Sequence, residues 1–247
     1  MNTSFSFDLL FEYSQAVSPS LVGKLGSIAE PLASTITFDH ACSADLKGVY
    51  DTISKCSPEA KQAYWLTRTW DLLSWQPIYI SFISIYGCNG LPDIKGMTQQ
   101  IKGDFIAGYQ INSESYRQGS HESLIQLAAK DLNDMFEFYR DEIGHWTRIR
   151  PGFTRFLFAD AILNCIVKIQ HFKPDVPNEY LIQQAKLWID AANLPVTALQ
   201  GLKVNPQNNT LQLVRTSCCL VYKCEGRELC GDCPKLESNR QVFTNAC

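Results

Sequence analysis

The sequence predicts a mainly α-helical protein with a small β element (α+β), and three observations carry that reading. Apolar residues recur at spacings of three and four along several long stretches. Stretches that alternate apolar and polar residues are few and short. A hydrophobic content of 45% with 19% charged residues is that of a folded chain rather than a disordered one. At 247 residues the chain has length for one large domain or two small ones.

Taken in order, residues 7–16 and 58–75 carry apolar side chains at helical spacing, and Ser57-Pro58-Glu59 marks the second start with Pro at its first position. Pro77 is expected to kink or end that helix, because its ring removes a backbone donor and crowds the preceding turn. The run IYISFISIY after it, rich in β-branched and aromatic residues, suits a buried helix or a strand equally. Lys102-Gly103-Asp104 between short apolar runs predicts a β-hairpin within 97–112 that ends in FIAGYQI. From Ser120 to Trp146 the pattern is clearest. Ile125, Ala129, Leu132, Phe136, Tyr139, Ile143 and Trp146 make one stripe, with Lys130, Asp131, Asp134, Glu137 and Arg140 largely off it. Further helices are predicted from about Phe153 to Phe172, before Pro174 and Pro177, and from Asn178 to about Asn193, before Pro195. NPQNN (205–209) is a turn, and TLQLVR (210–215) alternates like a short strand leading into Cys218.

A net charge of −3 argues against nucleic acid as a partner, since phosphate neutralisation needs clustered Lys and Arg. The N-terminal stretch lacks a basic region and carries Asp8 and Glu12 among its apolar residues, a poor secretory signal. No integral membrane segment is expected: the longest uncharged apolar stretch, Pro77 to Gly87, is too short to cross a bilayer. A cytoplasmic protein is the simplest reading, and in that reducing compartment ten cysteines are thiols or metal ligands rather than disulfides.

Five of those ten fall in sixteen residues, Cys218-Cys219-LVYK-Cys224-EGREL-Cys230-GD-Cys233, where an even spread would leave fewer than one. Four of them form the pattern C-C-x10-C-x2-C. Four soft thiolates select zinc or an iron–sulfur centre over calcium or magnesium. Gly231 suits a tight turn that aims backbone N–H groups at sulfur, and Pro234 stiffens the exit. Thioredoxin chemistry is a poor fit, because its CxxC opens a helix after a strand and no βαβ pattern follows here. Structural zinc sites usually combine two spaced knuckles. The adjacent Cys218 and Cys219 project in different directions, which suits a two-iron cluster better than one compact ion. Iron–sulfur, zinc and unligated thiols all stay open on spacing alone.

The run Arg215-Thr216-Ser217-Cys218-Cys219-LVYKCEGREL-Cys230-Gly231-Asp232-Cys233 resembles the C-terminal signature of the ferric-siderophore reductase family, the FhuF-like proteins. That family carries the same spacing, with Arg-Thr before the first pair and Gly-Asp inside the second. The resemblance extends weakly into the aromatic segment from Tyr64 to Tyr86. It implies a [2Fe–2S] cluster on Cys218, Cys219, Cys230 and Cys233 that reduces cytoplasmic Fe(III)–siderophores and frees Fe(II). Residues 1–204 are then a helical body with the hairpin and the candidate siderophore-binding region, and residues 205–247 the iron–sulfur-binding segment. No GxGxxG follows a predicted strand, so the electron comes from a separate ferredoxin or flavoprotein. The competing readings are a helical binding protein with a structural zinc clip and a ferredoxin-like electron carrier.

On a helix over 58–75, Tyr64, Arg68, Asp71 and Trp75 share one face, which makes Arg68, Asp71 and Trp75 candidate substrate-contacting residues. An ion pair under aromatic packing explains the same pattern more plainly. His145, Trp146, Arg148 and Arg150 form a small basic cluster, suited to an anionic partner or simply to the negative end of a helix. His40, His121 and His171 are isolated. Cys224, inside the ten-residue spacer, is a spare thiol, and Cys165 in AILNCIV reads as core. Cys42, Cys56, Cys88 and Cys247 are scattered.

Overall fold

A computed structural model describes residues 5–26 and 34–244. The chain divides into two compact units, Met1–Lys55 with Thr69–Ile149, and Cys56–Arg68 with Arg150–Cys247. Residues 205–247 thus form part of the second unit.

The first unit opens with α1 (Phe7–Val17), whose N-cap Ser6 accepts a hydrogen bond from Leu9 N at 3.2 Å. Two short strands, β1 (Gly23–Leu25) and β2 (Thr35–Thr37), precede α2 (Ser43–Cys56) and the long α3 (Lys61–Phe82). Beyond α3 come β3 (Leu91–Pro92), β4 (Met97–Lys102), β5 (Phe105–Ile111), β6 (Tyr116–Arg117) and α4 (His121–Gly144). The main sheet runs in the order β1-β5-β4-β2, with β1 parallel to β5 and the other pairings antiparallel. β4 and β5 are the predicted hairpin. Gly103 sits in its turn at φ +66, a left-handed conformation that glycine adopts without steric penalty.

Pro77 does not end α3. The helix runs on through it and continues as a π-turn over Ile83–Gly87, so IYISFISIY is helical. Proline deprives the Leu73 carbonyl of its backbone donor. Gln99 of β4 supplies another, Nε2 to O at 3.0 Å, while it also bonds Gln76 and Tyr139 Oη deep in the core. Tertiary structure thereby satisfies the group whose loss would otherwise stop the helix.

α4 follows the predicted stripe, and Ser120 caps it by accepting from Ser123 N at 3.2 Å. Ile125, Ala129, Leu132, Phe136, Tyr139 and Ile143 are buried, each large apolar side chain contributing about 1.5–3 kcal/mol. Asp131, expected off the stripe, is also buried, and it is tolerated there because Arg117 pairs with it. Trp146 lies past the helix end, its ring 5.0 Å from that of Tyr50.

In the second unit a short 3-10 turn, Pro58–Ala60, leads into α3, which contributes its residues up to Arg68. α5 (Pro151–Phe172) begins on Pro151 itself, and α6 (Asn178–Ala191), β7 (Leu202–Val204), β8 (Leu211–Leu213) and α7 (Glu237–Thr244) follow. Gln170 joins helix to hairpin: Leu211 N donates to its Oε1 at 2.8 Å and its Nε2 donates to Asn178 Oδ1 at 2.7 Å. Gly201 lets the chain after β8 approach closely, since a Cβ there would stand 2.2 Å from the Val214 carbonyl. Val214 N in turn donates to the Gly201 carbonyl at 2.8 Å. That contact aims the chain at its cysteines.

Candidate metal centre

β8 buries Leu211 and Leu213 and exposes Gln212, a period-two pattern that fixes which way the next residues face. Beyond Val214, Arg215 N donates to the Asp232 carbonyl at 2.9 Å, bringing the first cysteine pair beside the second. Asp160 then grips the two residues before Cys218. It accepts from Thr216 N at 2.8 Å, Thr216 Oγ1 at 3.0 Å, Ser217 N at 2.7 Å and the Ser217 hydroxyl. Burial raises the Asp160 pKa above the ordinary carboxylate value, and those four donors offset part of the rise. Sequence reading missed this residue. Its one signal is a lone carboxylate inside the apolar run FADAIL of a helix.

Leu220, directly after Cys219, adopts φ +61 and ψ 8, a left-handed conformation that costs a residue with a Cβ about 1–2 kcal/mol. The reversal turns the Leu220 N–H toward the Cys218 thiol and the Val221 N–H toward the Cys219 thiol. The second pair sits on a tight turn closed by Cys233 N to the Cys230 carbonyl at 3.0 Å. Asn239 of α7 braces it, its Nδ2 donating to the Gly231 and Cys233 carbonyls at 2.8 and 3.0 Å. The tight turn expected at Gly231 is present, but it does not draw on glycine's freedom. Gly231 is outside the positive-φ region, and a Cβ there would meet nothing within 4 Å.

The four sulfurs come together in two pairs. Cys218 Sγ stands 3.8 Å from Cys233 Sγ, and Cys219 Sγ stands 3.4 Å from Cys230 Sγ. Both separations far exceed the roughly 2.05 Å of a disulfide. Two thiolates sharing one tetrahedral metal, with bonds of about 2.3 Å, stand about 3.8 Å apart. The observed pairs therefore suit one metal each. A single zinc would need all four sulfurs mutually at that distance. The donor set fits two bridged irons better than one ion.

Charge around the pairs is uneven. Arg215 Nη2 lies 3.5 Å from Cys219 Sγ and 3.1 Å from Asp232 Oδ1, and its Nε is 2.8 Å from Asp232 Oδ2 without being aimed as a hydrogen bond. Burial raises the Cys219 thiol, but the Arg215 guanidinium and the Val221 amide outweigh it and leave the pKa below its ordinary value. Burial raises Cys218 and Cys230, with too little opposition to reverse the direction.

The spacer between the pairs is fixed to the 58–68 segment. Glu225 N donates to Glu59 Oε1 at 3.0 Å, and the Cys224 thiol hydrogen-bonds Tyr64. Burial and that thiol push the Tyr64 pKa up to about 12, with the Arg68 charge opposing the rise. Tyr64 and Arg68 thus stand with the cysteine segment in the second unit, whereas Asp71 and Trp75 belong to the first. The Trp75 indole N–H donates to the Ile106 carbonyl at 2.8 Å, and its ring packs beside Tyr79 and Phe105. His145 is exposed with Glu142 Oε1 at 4.0 Å, and Arg148 is exposed as well. Cys42, Cys88 and Cys165 are buried and Cys56 is exposed, while Cys247 lies outside the described residues.

Among the described residues no helix is long and apolar enough to cross a membrane. Residues 215–235 match the family model described as the FhuF 2Fe-2S C-terminal domain, and Cys218, Cys219, Cys230 and Cys233 fit its motif. The resemblance read from the sequence holds for this segment, and its cofactor is a [2Fe–2S] cluster. No solved structure matches the chain.

Proposed function

We propose that the chain is a cytoplasmic oxidoreductase that reduces ferric siderophores by one electron and frees Fe(II), using a [2Fe–2S] cluster on Cys218, Cys219, Cys230 and Cys233. The observation that carries this reading is the two-by-two pairing of those thiols inside a segment matching the FhuF 2Fe-2S C-terminal domain. The family is associated with ferric siderophore reduction. When bound, a four-thiolate [2Fe–2S] cluster supplies one-electron transfer at low potential, about −400 mV in plant-type ferredoxins.

The chain's residues have three tasks. The cysteines hold the irons, and the Leu220 and Val221 amides with Arg215 offset thiolate charge. Asp160 and Asn239 hold the two pairs in place. Of the candidate substrate-contacting residues, Arg68 stands in the same unit as the cysteines and is the proposed contact to the chelate. Its charge acts on Tyr64, which is bonded to Cys224 between the two cysteine pairs. Hydroxamate or catecholate oxygens grip hard Fe(III) tightly, and reduction lowers the charge they hold. The chain therefore breaks no covalent bond; it brings the chelate within electron-transfer distance. A ferredoxin or flavoprotein recharges it. The free thiols among the described residues suit the reducing cytoplasm.

Anaerobic protein reduced with dithionite and mixed with a panel of ferric hydroxamates and catecholates tests the reading. Fe(II) captured by a ferrous-specific dye, in step with reoxidation of the visible spectrum, is the expected result. A colourless zinc protein lacking labile sulfide would select the structural clip instead. A coloured protein that releases no Fe(II) from any chelate would select the electron carrier. Rapid NADPH oxidation by the pure protein would remove the need for a separate donor.

A further inference from the structure

The two sulfur pairs differ in what surrounds them. Cys219 receives two donors, the Val221 amide and Arg215 Nη2 at 3.5 Å, and the same guanidinium charge acts on Cys230. Cys218 receives the Leu220 amide. Lys235 acts on Cys218 and Cys233, yet its ammonium is exposed and bonded to Tyr222 Oη at 2.8 Å. The Arg215 side chain is only 17% exposed. Water and salt screen the lysine far more than the arginine. Asp232, with its side chain 36% exposed, offsets part of the Arg215 field at Cys230. Hydrogen bonds and positive charge on thiolate sulfur favour the more negative state of the metal it binds.

We propose that Cys218 and Cys233 share one iron, that Cys219 and Cys230 share the other, and that the electron resides on the iron of Cys219 and Cys230 because Arg215 stands beside it. This deepens the reading above and rests on the cluster being bound by these four cysteines. One electron from an external reductant, dithionite in the test, takes the diferric pair to one ferrous and one ferric iron. No bond forms or breaks. Arg215 is a positioning residue for that charge.

Protein reconstituted with 57Fe and reduced with dithionite reads the assignment by Mössbauer spectroscopy. Replacing sulfur by oxygen alters the signature of the iron it binds. Cys219→Ser and Cys230→Ser are expected to shift the ferrous component, and Cys218→Ser and Cys233→Ser the ferric one. If Cys218→Ser and Cys219→Ser disturb the same iron, the pairing is overturned. If Cys218→Ser or Cys233→Ser shifts the ferrous component, the electron's location is overturned.

Redox titration of variants that keep all four ligands gives a second measurement should a serine variant fail to assemble. Arg215→Gln is expected to make reduction about tenfold less favourable, about 59 mV for one electron. Arg215→Lys should fall between that variant and wild type, and Lys235→Gln should change little. A loaded Arg215→Gln cluster with unchanged potential, or a larger shift in Lys235→Gln, overturns the inference alone. Wild-type protein without iron and labile sulfide overturns the cluster reading beneath it.

Discussion

Gln99 Nε2 lies 3.0 Å from the Leu73 carbonyl, the acceptor that Pro77 leaves without a helical donor. A helix crossing proline mid-course is thus held together by a strand side chain 26 residues further along the chain. Gln99→Leu should cost about 1–3 kcal/mol, the penalty for orphaning a buried polar group. Pro77→Ala returns the backbone donor, so Gln99→Leu should cost less in the Pro77→Ala background than in wild type. Urea denaturation of the four proteins measures the coupling. Simple additivity would show that the Leu73 carbonyl does not depend on Gln99.

The same pair shows where sequence reading stops. Local pattern was enough for α4, because its apolar stripe and Ser120 cap are properties of one continuous stretch. It was enough for the β4–β5 hairpin too, whose turn is set by Gly103. At Pro77, expected to kink or end its helix, and at Asp131, placed largely off the stripe, the outcome is decided by partners from other elements: Gln99 lets the helix run on and Arg117 lets the carboxylate be buried. The metal centre divides likewise. Four cysteines at fixed spacing were legible, while Asp160, more than fifty residues upstream, was invisible until folding brought it to Thr216 and Ser217.

Asp160 should govern how well the centre loads. Its carboxylate takes four donors from the two residues preceding Cys218, so Asp160→Ala leaves them without an acceptor and frees the entry to the site. Iron and labile sulfide per chain should fall in the order wild type, Asp160→Asn, Asp160→Ala. The alanine variant should also lose about 1–3 kcal/mol or more in chemical denaturation. Full loading of Asp160→Ala would leave the carboxylate with no part in building the site.

Buried thiols give the chain an alkaline limit. Burial pushes the pKa of Cys42, Cys88 and Cys165 up to about 12 each, with Glu142 adding to the effect at Cys42 and Lys168 opposing it at Cys165. A folded-state pKa above the unfolded value stabilises fully below the unfolded value, about 8.5 for a thiol, and that stability is lost as pH rises toward 12. Denaturation midpoints should therefore decline above about pH 8.5. Replacing the three cysteines by alanine should flatten that decline. In native protein at pH below that range, iodoacetamide should label the exposed Cys56 and spare these three. Equal labelling of all four would contradict their burial.

Backbone conformation separates two residues of the centre that composition alone ranks the wrong way round. Gly231 invites the assumption that only glycine fits, yet its φ is ordinary and a Cβ there meets nothing within 4 Å. Leu220 is the constrained position, at φ +61 with its amide turned to Cys218. Gly231→Ala should keep the cluster and hold or gain up to about 1 kcal/mol through the unfolded chain. Leu220→Gly should keep the cluster and relieve about 1 kcal/mol of strain. Leu220→Pro forbids the left-handed turn and deletes the amide, so it should abolish loading. Visible absorbance with iron and sulfide analysis ranks the three. A colourless Gly231→Ala beside a loaded Leu220→Pro would mean the sulfurs are organised by the second turn and not by the reversal after Cys219.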